Sequence, residues 1–266
     1  MTLHWIDVSV LIGYLALVAV MGIYFSRENK NTEEYFVGGR SFSGWIIGLS
    51  LVGTSISSVT FLAYPADAFK TSWIRYVPNL ALPLGICIAA YFFLPFFRRG
   101  RITSAYEYLE DRFGPSVRVY GGITFIITQL IRISMILYLV SLLINEMTGF
   151  SMTASVVIGG VFVALYTVIG GIKAVIWTDV IQTVVLILGG FLTLGVILYH
   201  LPGGLAQIFS IALSDGKLAF SELTDTGLRP VEWNLSITSK TGTMLFLVGL
   251  TNWLTEYSAN QNTVQR

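Results

Sequence analysis

The chain has 266 residues, of which 54% are hydrophobic and only 12% charged, and its formal net charge is +1. A soluble domain carries about twice that charged fraction, so this sequence lacks the polar surface to face water all round and reads as an integral membrane protein. The near-zero charge gives no footing for nucleic acid or an acidic partner, and a single cysteine, Cys87, excludes an intrachain disulfide.

Crossing the hydrocarbon takes about 20 mostly apolar helical residues. Runs of that kind fall at roughly 5–25, 43–66, 74–97, 120–144, 152–170, 175–199 and 243–257. An all-α bundle of about seven transmembrane helices is therefore expected. No basic leader or small-residue cleavage site accompanies the first run, which reads as a retained helix and not a signal peptide. His4 and His200 sit at span edges with no chemistry expected of them, and several of the six tryptophans fall near span ends, as interfacial belts do.

The second run contains Gly53-Thr54-Ser55-Ile56-Ser57-Ser58-Val59-Thr60, followed by Pro65. One or two hydroxyls can bond back to a helix's own carbonyls. Five in eight residues, with a glycine ahead and a proline behind, make a poor helix with loosened carbonyls. Broken membrane helices of this sort are tolerated where they line a cavity, and transporters hold ions and substrates with them. A small-residue packing interface between helices is the competing reading. In the third run, Asn79 beside Pro78 can hydrogen-bond a ligand or bridge two helices.

Between the third and fourth runs, residues 98–118 read as a short amphipathic cytoplasmic helix. Tyr106, Leu109 and Phe113 stand at helical spacing, and Gly114-Pro115 ends it. The fourth run places Arg132 about twelve residues from either end. A mid-membrane arginine costs on the order of 3 kcal/mol on insertion scales, so it is expected to face a wet cavity or an anionic partner. Gln129 lies one turn away on the same face. A guanidinium fork suits a substrate carboxylate, although a structural ion pair with another helix would satisfy it too.

Asp179 is the acid most clearly inside a span, about one turn from the expected cytoplasmic end. It reads as an oxygen ligand for a small cation, as a partner for Lys173 or Arg132, or as a group reaching interfacial water. Residues 200–240 form the one extended polar stretch, with a weak amphipathic segment at 205–213. Asn252, Glu256, Asn260 and Gln261 make the seventh run and its exit unusually polar.

Loop charges set the orientation. With the N-terminus outside, the inner loops hold Arg27, Lys30, Arg40, Arg98, Arg99, Arg101, Arg112, Arg118, Lys173 and Arg266. The outer side then holds only Lys70, Arg75, Lys217, Arg229 and Lys240, so the positive-inside rule favours that orientation. No phosphate-cradling glycine loop, zinc-type histidine pair or nucleophile–base arrangement is visible, and an enzyme is not expected.

Three segments carry a family resemblance. The stretch Tyr166-Thr167-Val168-Ile169-Gly170-Gly171-Ile172-Lys173-Ala174-Val175-Ile176-Trp177-Thr178-Asp179-Val180-Ile181-Gln182 resembles the signature of the sodium:solute symporters. Thr32-Glu33-Glu34-Tyr35-Phe36-Val37-Gly38-Gly39-Arg40 and Asn260-Gln261-Asn262-Thr263-Val264-Gln265-Arg266 match as well, in the expected order. Ile172 departs from the pattern, which more often has Leu, Met or Phe. The resemblance implies a LeuT-type inverted-repeat fold: a leading helix at 5–25, a first five-helix repeat at 43–199, an extracellular loop at 200–240 and the first helix of a second repeat at 243–266. It implies too that the chain is the N-terminal half of a transporter.

Within the family, the details most resemble the bacterial sialic acid (N-acetylneuraminate) symporters, which share the hydroxyl pattern at 53–61 and an arginine at the position of Arg132. Carried over position by position, Ser55, Ser57 and Thr60 would contact substrate, with Asn79 opposite, and Arg132 would grip its carboxylate, a task that Gln129 could share from its place on the same face. The carbonyls of Gly53 and Ile56 would supply part of one sodium site, and Asp179 would belong to a second. Sodium-coupled symport of a carboxylated sugar across the cell inner (plasma) membrane is the expected function. Symport of a neutral sugar, monocarboxylate or amino acid, and a symporter-like sensor module, are the alternatives. Ser55 stands where the proline-transporting branch typically carries an acid, which argues against proline.

Overall fold

The computed structural model describes residues 4–28, 30–99, 104–224, 227–236 and 239–264. Arg101 in the first long connection, and Gln265 and Arg266 of the closing motif, lie outside them. The chain divides into two compact units, one comprising residues up to Val59 with Tyr106–Val185, the other Thr60–Ala105 with Leu186–Val264.

Both units have the inverted polarity of a membrane protein. Large apolar side chains point outward, among them Trp5, Leu130, Phe191 and Leu192, while the buried set is rich in Ser50, Ser72, Ser141, Ser155, Thr178 and Thr183. Lipid is as apolar as leucine, so hydrophobic burial does not drive helices together there. Small residues and hydroxyls that let backbones approach take over that role. Among the described residues, four helices are long and apolar enough to span a membrane: α1 (Trp5–Ser26), the composite Trp73–Phe97, α8 (Pro115–Thr148) and α9 (Met152–His200). A fifth span is broken, its halves being Gly44–Ser55 and Val59–Lys70.

In the first unit, His4 caps α1, accepting the Ile6 N–H while the Asp7 carboxylate accepts from its own N–H. The short α2 (Thr32–Val37) is capped by Asn31 and stops at Gly38 in the left-handed conformation. The α1–α9 contact is made by glycines: a Cβ on Gly22 would lie 3.1 Å from the Tyr166 carbonyl, and one on Gly170 would meet Gly22 Cα at 3.0 Å. The Tyr35 hydroxyl donates to the Val168 carbonyl at 2.8 Å, and Lys173 pairs with Glu28 at 3.0 Å. The amphipathic segment is α7 (Ala105–Phe113). Its Tyr106 and Leu109 pack against Gly121, and burial pushes the Tyr106 phenol up, whereas Phe113 is exposed. Gly114, at φ 89°, turns the chain, and Pro115 starts α8.

The two expected runs, 152–170 and 175–199, are two helices that follow each other without a loop in α9 and meet at Gly171. The backbone breaks there, with φ 63° and ψ −165°, a conformation essentially confined to glycine. The amide ladder continues on either side, so the sequence gap between the two runs is a kink and not a loop. α8 is longer than the expected 120–144, extending from Pro115 to Thr148. The seventh run is α11 (Gly242–Ser258), 17 residues long and capped by Thr241.

In the second unit, the broken span continues through a π-helical turn at Val59–Ala63 into α4 (Tyr64–Lys70). The third span is a mosaic: a 3-10 stretch at Trp73–Ala81, α5 (Leu82–Ile88), a π turn at Ala89–Phe93 and α6 (Leu94–Arg99). Pro78, Pro83 and Pro95 each lack the N–H that an unbroken α-helix needs. The 3-10 stretch buries Ile74, Val77 and Ala81. α11 lies against it, with Gly249 on the Pro78 backbone and Gly85 close to Trp253, where no Cβ would fit.

The 200–240 connection contains α10 (Gly204–Ser214), as its amphipathic pattern predicts, and also a hairpin the sequence did not signal. Strands β1 (Ser221–Thr224) and β2 (Gly227–Pro230) pair antiparallel, Ser221 opposite Pro230 and Thr224 opposite Gly227. This connection is fastened to the corner before the 3-10 stretch. The buried Ser72 hydroxyl donates to the Ser221 carbonyl at 2.6 Å and accepts its N–H at 2.9 Å, the Trp73 N–H reaches the Ala219 carbonyl, and Lys217 Nζ donates to the Phe69 carbonyl at 2.7 Å. α12 (Gln261–Val264) follows α11.

Candidate transport site

α3 (Gly44–Ser55) ends inside the hydroxyl-rich stretch. Ile56 is extended, with φ −90° and ψ 119°, and helical structure resumes only at Ser58, leading into the π-helical turn that starts at Val59. The last four carbonyls of a helix have no intrahelical donor, so α3 terminates in oxygens directed out of the ladder at the depth where a lipid-facing helix would have none. Gly53 belongs to that last turn. Ser55, its final residue, donates to the Leu51 carbonyl at 2.9 Å. Ser57, in the break itself, is half-buried. The Ser58 hydroxyl donates to the Ile136 carbonyl of α8 at 3.1 Å.

That bond sets the break against a particular face of α8. Gly121, Phe125, Gln129, Arg132, Ile136 and Val140 form its less exposed stripe at helical spacing, while Leu130, Ile131 and Met135 lie outside it. Arg132 is thus turned inward, one turn from Ile136, with Gln129 on the same stripe. A guanidinium so placed avoids the lipid cost that its depth would otherwise impose.

Asp179 is held by α3. The hydroxyls of Ser50 and Thr54 donate to its Oδ2 at 3.2 and 3.1 Å, and the Thr183 hydroxyl donates to the Leu49 carbonyl at 3.0 Å and the Asp179 carbonyl at 2.7 Å. Tyr14 and Tyr166 feel the charge of the same carboxylate, and Gln182 interacts with both tyrosines. Lys173 is engaged with Glu28. Gly53 is the point of closest approach: a Cβ there would fall 2.5 Å from Thr183 Oγ1 and 2.8 Å from the Asp179 carbonyl. The cluster is oxygen-rich, as a small hard cation requires.

In the second unit, Thr60 on the π turn and Asn79 on the 3-10 stretch line one cavity of about 400 Å³. The Asn79 amide donates to the Arg75 carbonyl at 3.1 Å. So Gly53 and Asp179 come together, Thr60 and Asn79 come together, and Arg132 and Gln129 share the stripe to which Ser58 is bonded. Sequence reading missed Ser50, Thr54 and Thr183 as partners of Asp179. Their signal was the four-residue spacing of Ser50 with Thr54, and of Asp179 with Thr183.

Residues 35–266 match the profile of the sodium:solute symporter family. The chain belongs to that family. It is 35% identical over its whole length to the sodium/sialic acid symporter SiaT of Proteus mirabilis, covering 52% of that protein, and 35% identical to the sodium/sialic acid symporter NanT of Aliivibrio fischeri over 96% of this chain and 49% of that one. The sodium-coupled monocarboxylate transporter 1 of Mus musculus is 33% identical over 98% of the chain and 41% of its own length. A solved structure of a Na+-coupled sialic acid symporter, substrate-bound and outward-open with a novel Na+ site, superposes with a TM-score of 0.86 at 34% identity, covering 98% of this chain and 53% of that one. This family member thus spans about half the length of the relatives it matches. It is a multi-pass membrane protein of LeuT-type fold, and its family consists of transporters and not enzymes.

Proposed function

We propose that the protein carrying this chain couples the inward movement of sodium to uptake of a carboxylated sugar, N-acetylneuraminate, by alternating access. The observation that carries the proposal is the break at 56–57, bonded through Ser58 at its edge to α8 one turn from Arg132. Similarity to two sodium/sialic acid symporters supports the choice of solute. In this reading Arg132 grips the carboxylate with two parallel hydrogen bonds, assisted by Gln129, and Ser55, Ser57, Thr60 and Asn79 bond the sugar. The Gly53 and Ile56 carbonyls ligate one sodium, and Asp179 a second. Residues 5–25 are the leading helix, 43–199 the first repeat, 200–240 an extracellular loop and 243–266 the start of the second repeat, in the cell inner membrane with the N-terminus outside.

Sodium entry is favourable because a membrane potential contributes about 2.3 kcal/mol per charge per 100 mV beyond the concentration gradient. The test is uptake of labelled N-acetylneuraminate by cells expressing the full-length protein, in sodium and in potassium. Uptake that requires sodium and collapses in Arg132→Ala supports the proposal. Undiminished uptake in Arg132→Ala removes that residue's role, and uptake indifferent to sodium removes the coupling. The similarity to monocarboxylate transporters favours a second reading, in which the solute is a small monocarboxylate. Competition by lactate and not by N-acetylneuraminate would select it.

A further inference from the structure

The cavity in the second unit holds more than Thr60 and Asn79. Tyr64, Trp73 and Tyr76 supply three aromatic walls, and Arg75 lies among them. Its volume of about 400 Å³ is within the range of small-molecule sites, which combine apolar walls with a few placed polar groups. Trp73 and Tyr76 are 44% and 53% exposed, yet their backbone is fixed. The opposite face of the 3-10 stretch buries Ile74, Val77 and Ala81, and its start is fastened through Ser72 and Trp73 to the 200–240 connection. Exposed aromatic side chains on an anchored backbone form a ready platform. Their flat faces suit the C–H face of a sugar ring, and their polar tips suit its hydroxyls.

Arg75 brings a guanidinium to the cavity. Its Nε donates to Asp67 Oδ2 at 2.7 Å, and the side chain is 64% exposed against 32% for Asp67. A guanidinium has five N–H donors in a rigid fork. The Nε bond engages one edge, so Asp67 orients the group and the fork keeps donors for a second carboxylate. An exposed pair of this kind holds weakly and is readily shared.

We propose that this cavity is a recruitment subsite for the acidic sugar, in which Arg75 takes the carboxylate and Tyr64, Trp73 and Tyr76 cover the ring. The inference rests on the proposed transport reading and adds a residue that sets specificity apart from Arg132. A ligand in the cavity already touches Thr60 and Asn79, two of the proposed substrate contacts.

The experiment is sodium-dependent uptake of labelled N-acetylneuraminate by the full-length protein, with membrane abundance measured for each variant. Arg75→Gln raises KM about tenfold while the maximal rate per transporter stays within about twofold, and Arg75→Lys, which keeps the charge but not the fork, falls between. Inhibition by N-acetylmannosamine, a neutral sugar, is unchanged in Arg75→Gln and weakened in Trp73→Ala. An unchanged KM in both Arg75 variants at wild-type abundance overturns the inference. So does a lowered maximal rate with KM intact, which marks a structural role. If the wild-type protein shows no sodium-dependent uptake, the transport reading itself fails. Active wild-type protein with indifferent Arg75 variants leaves that reading standing and removes only the subsite.

Discussion

Gly53→Ala is the substitution the structure weighs most heavily. The added Cβ would sit 2.5 Å from Thr183 Oγ1 and 2.8 Å from the Asp179 carbonyl oxygen. Ordinary contact begins at 3.4 Å, so relief needs a displacement of 3.4 − 2.5 = 0.9 Å at the hydroxyl. A backbone carbonyl inside α9 cannot swing aside, and Thr183 already bonds both helices, so α3 itself must move. Overpacking of this kind costs about 1–3 kcal/mol, and each hydrogen bond lost from Ser50 or Thr54 to Asp179 adds about 1 kcal/mol. The same movement shifts the end of α3, where metal–oxygen distances tolerate only about 0.2 Å. Gly48→Ala on the same helix is the control, because a Cβ there meets nothing within 4 Å. We expect Gly53→Ala to melt earlier in detergent and to raise the sodium concentration for half-maximal uptake about tenfold or more, with Gly48→Ala matching wild type in both. Identical melting and sodium dependence for the two alanine variants would refute the reasoning.

Three further outcomes follow from single positions. Gly171→Ala forces a side chain into a conformation that only glycine adopts readily, at a cost of about 1–3 kcal/mol; it should lower membrane abundance and melting temperature, whereas Gly189→Ala, with open space around it, should not. Ser72→Ala removes two buried hydrogen bonds to Ser221; it should destabilise by about 2 kcal/mol and speed proteolytic cleavage within 200–240. Asp179→Asn keeps acceptors for Ser50 and Thr54 but removes the charge; melting should hold while the sodium requirement of uptake rises, and unaltered sodium dependence would remove Asp179 as a ligand.

Hydropathy made most of the spans legible, because lipid selects apolar length and little else. It did not make the geometry inside them legible. The glycine pair at 170–171 reads as a gap between two spans, yet only the backbone angles of Gly171 distinguish a kinked helix from a short loop. Hydroxyl density at 53–60, between a glycine and a proline, located the broken helix, since serine and threonine side chains compete with the backbone for its own hydrogen bonds. The partners of Asp179 were only faintly legible: the four-residue spacing of Ser50 and Thr54 puts two hydroxyls on one helix face, but the acid they meet lies 129 and 125 residues away. The β1–β2 hairpin was missed for a related reason: four-residue strands such as Ser221–Thr224 carry too few alternations to signal themselves. The polar exit of α11 resolves into one local bond, Asn260 to Glu256, and one distant bond, Ser104 to Gln261.

The most direct measurement asks whether the break faces a watery, substrate-filled space. Cys87 is the native thiol and is exposed, so the full-length protein would carry Cys87→Ala, with any further native cysteine replaced, and Ser57→Cys. A membrane-impermeant thiol reagent then reports on position 57. The account predicts labelling that N-acetylneuraminate slows in sodium but not in potassium. An introduced thiol that reacts at the same rate with and without the sugar in sodium, or that never reacts, would contradict it.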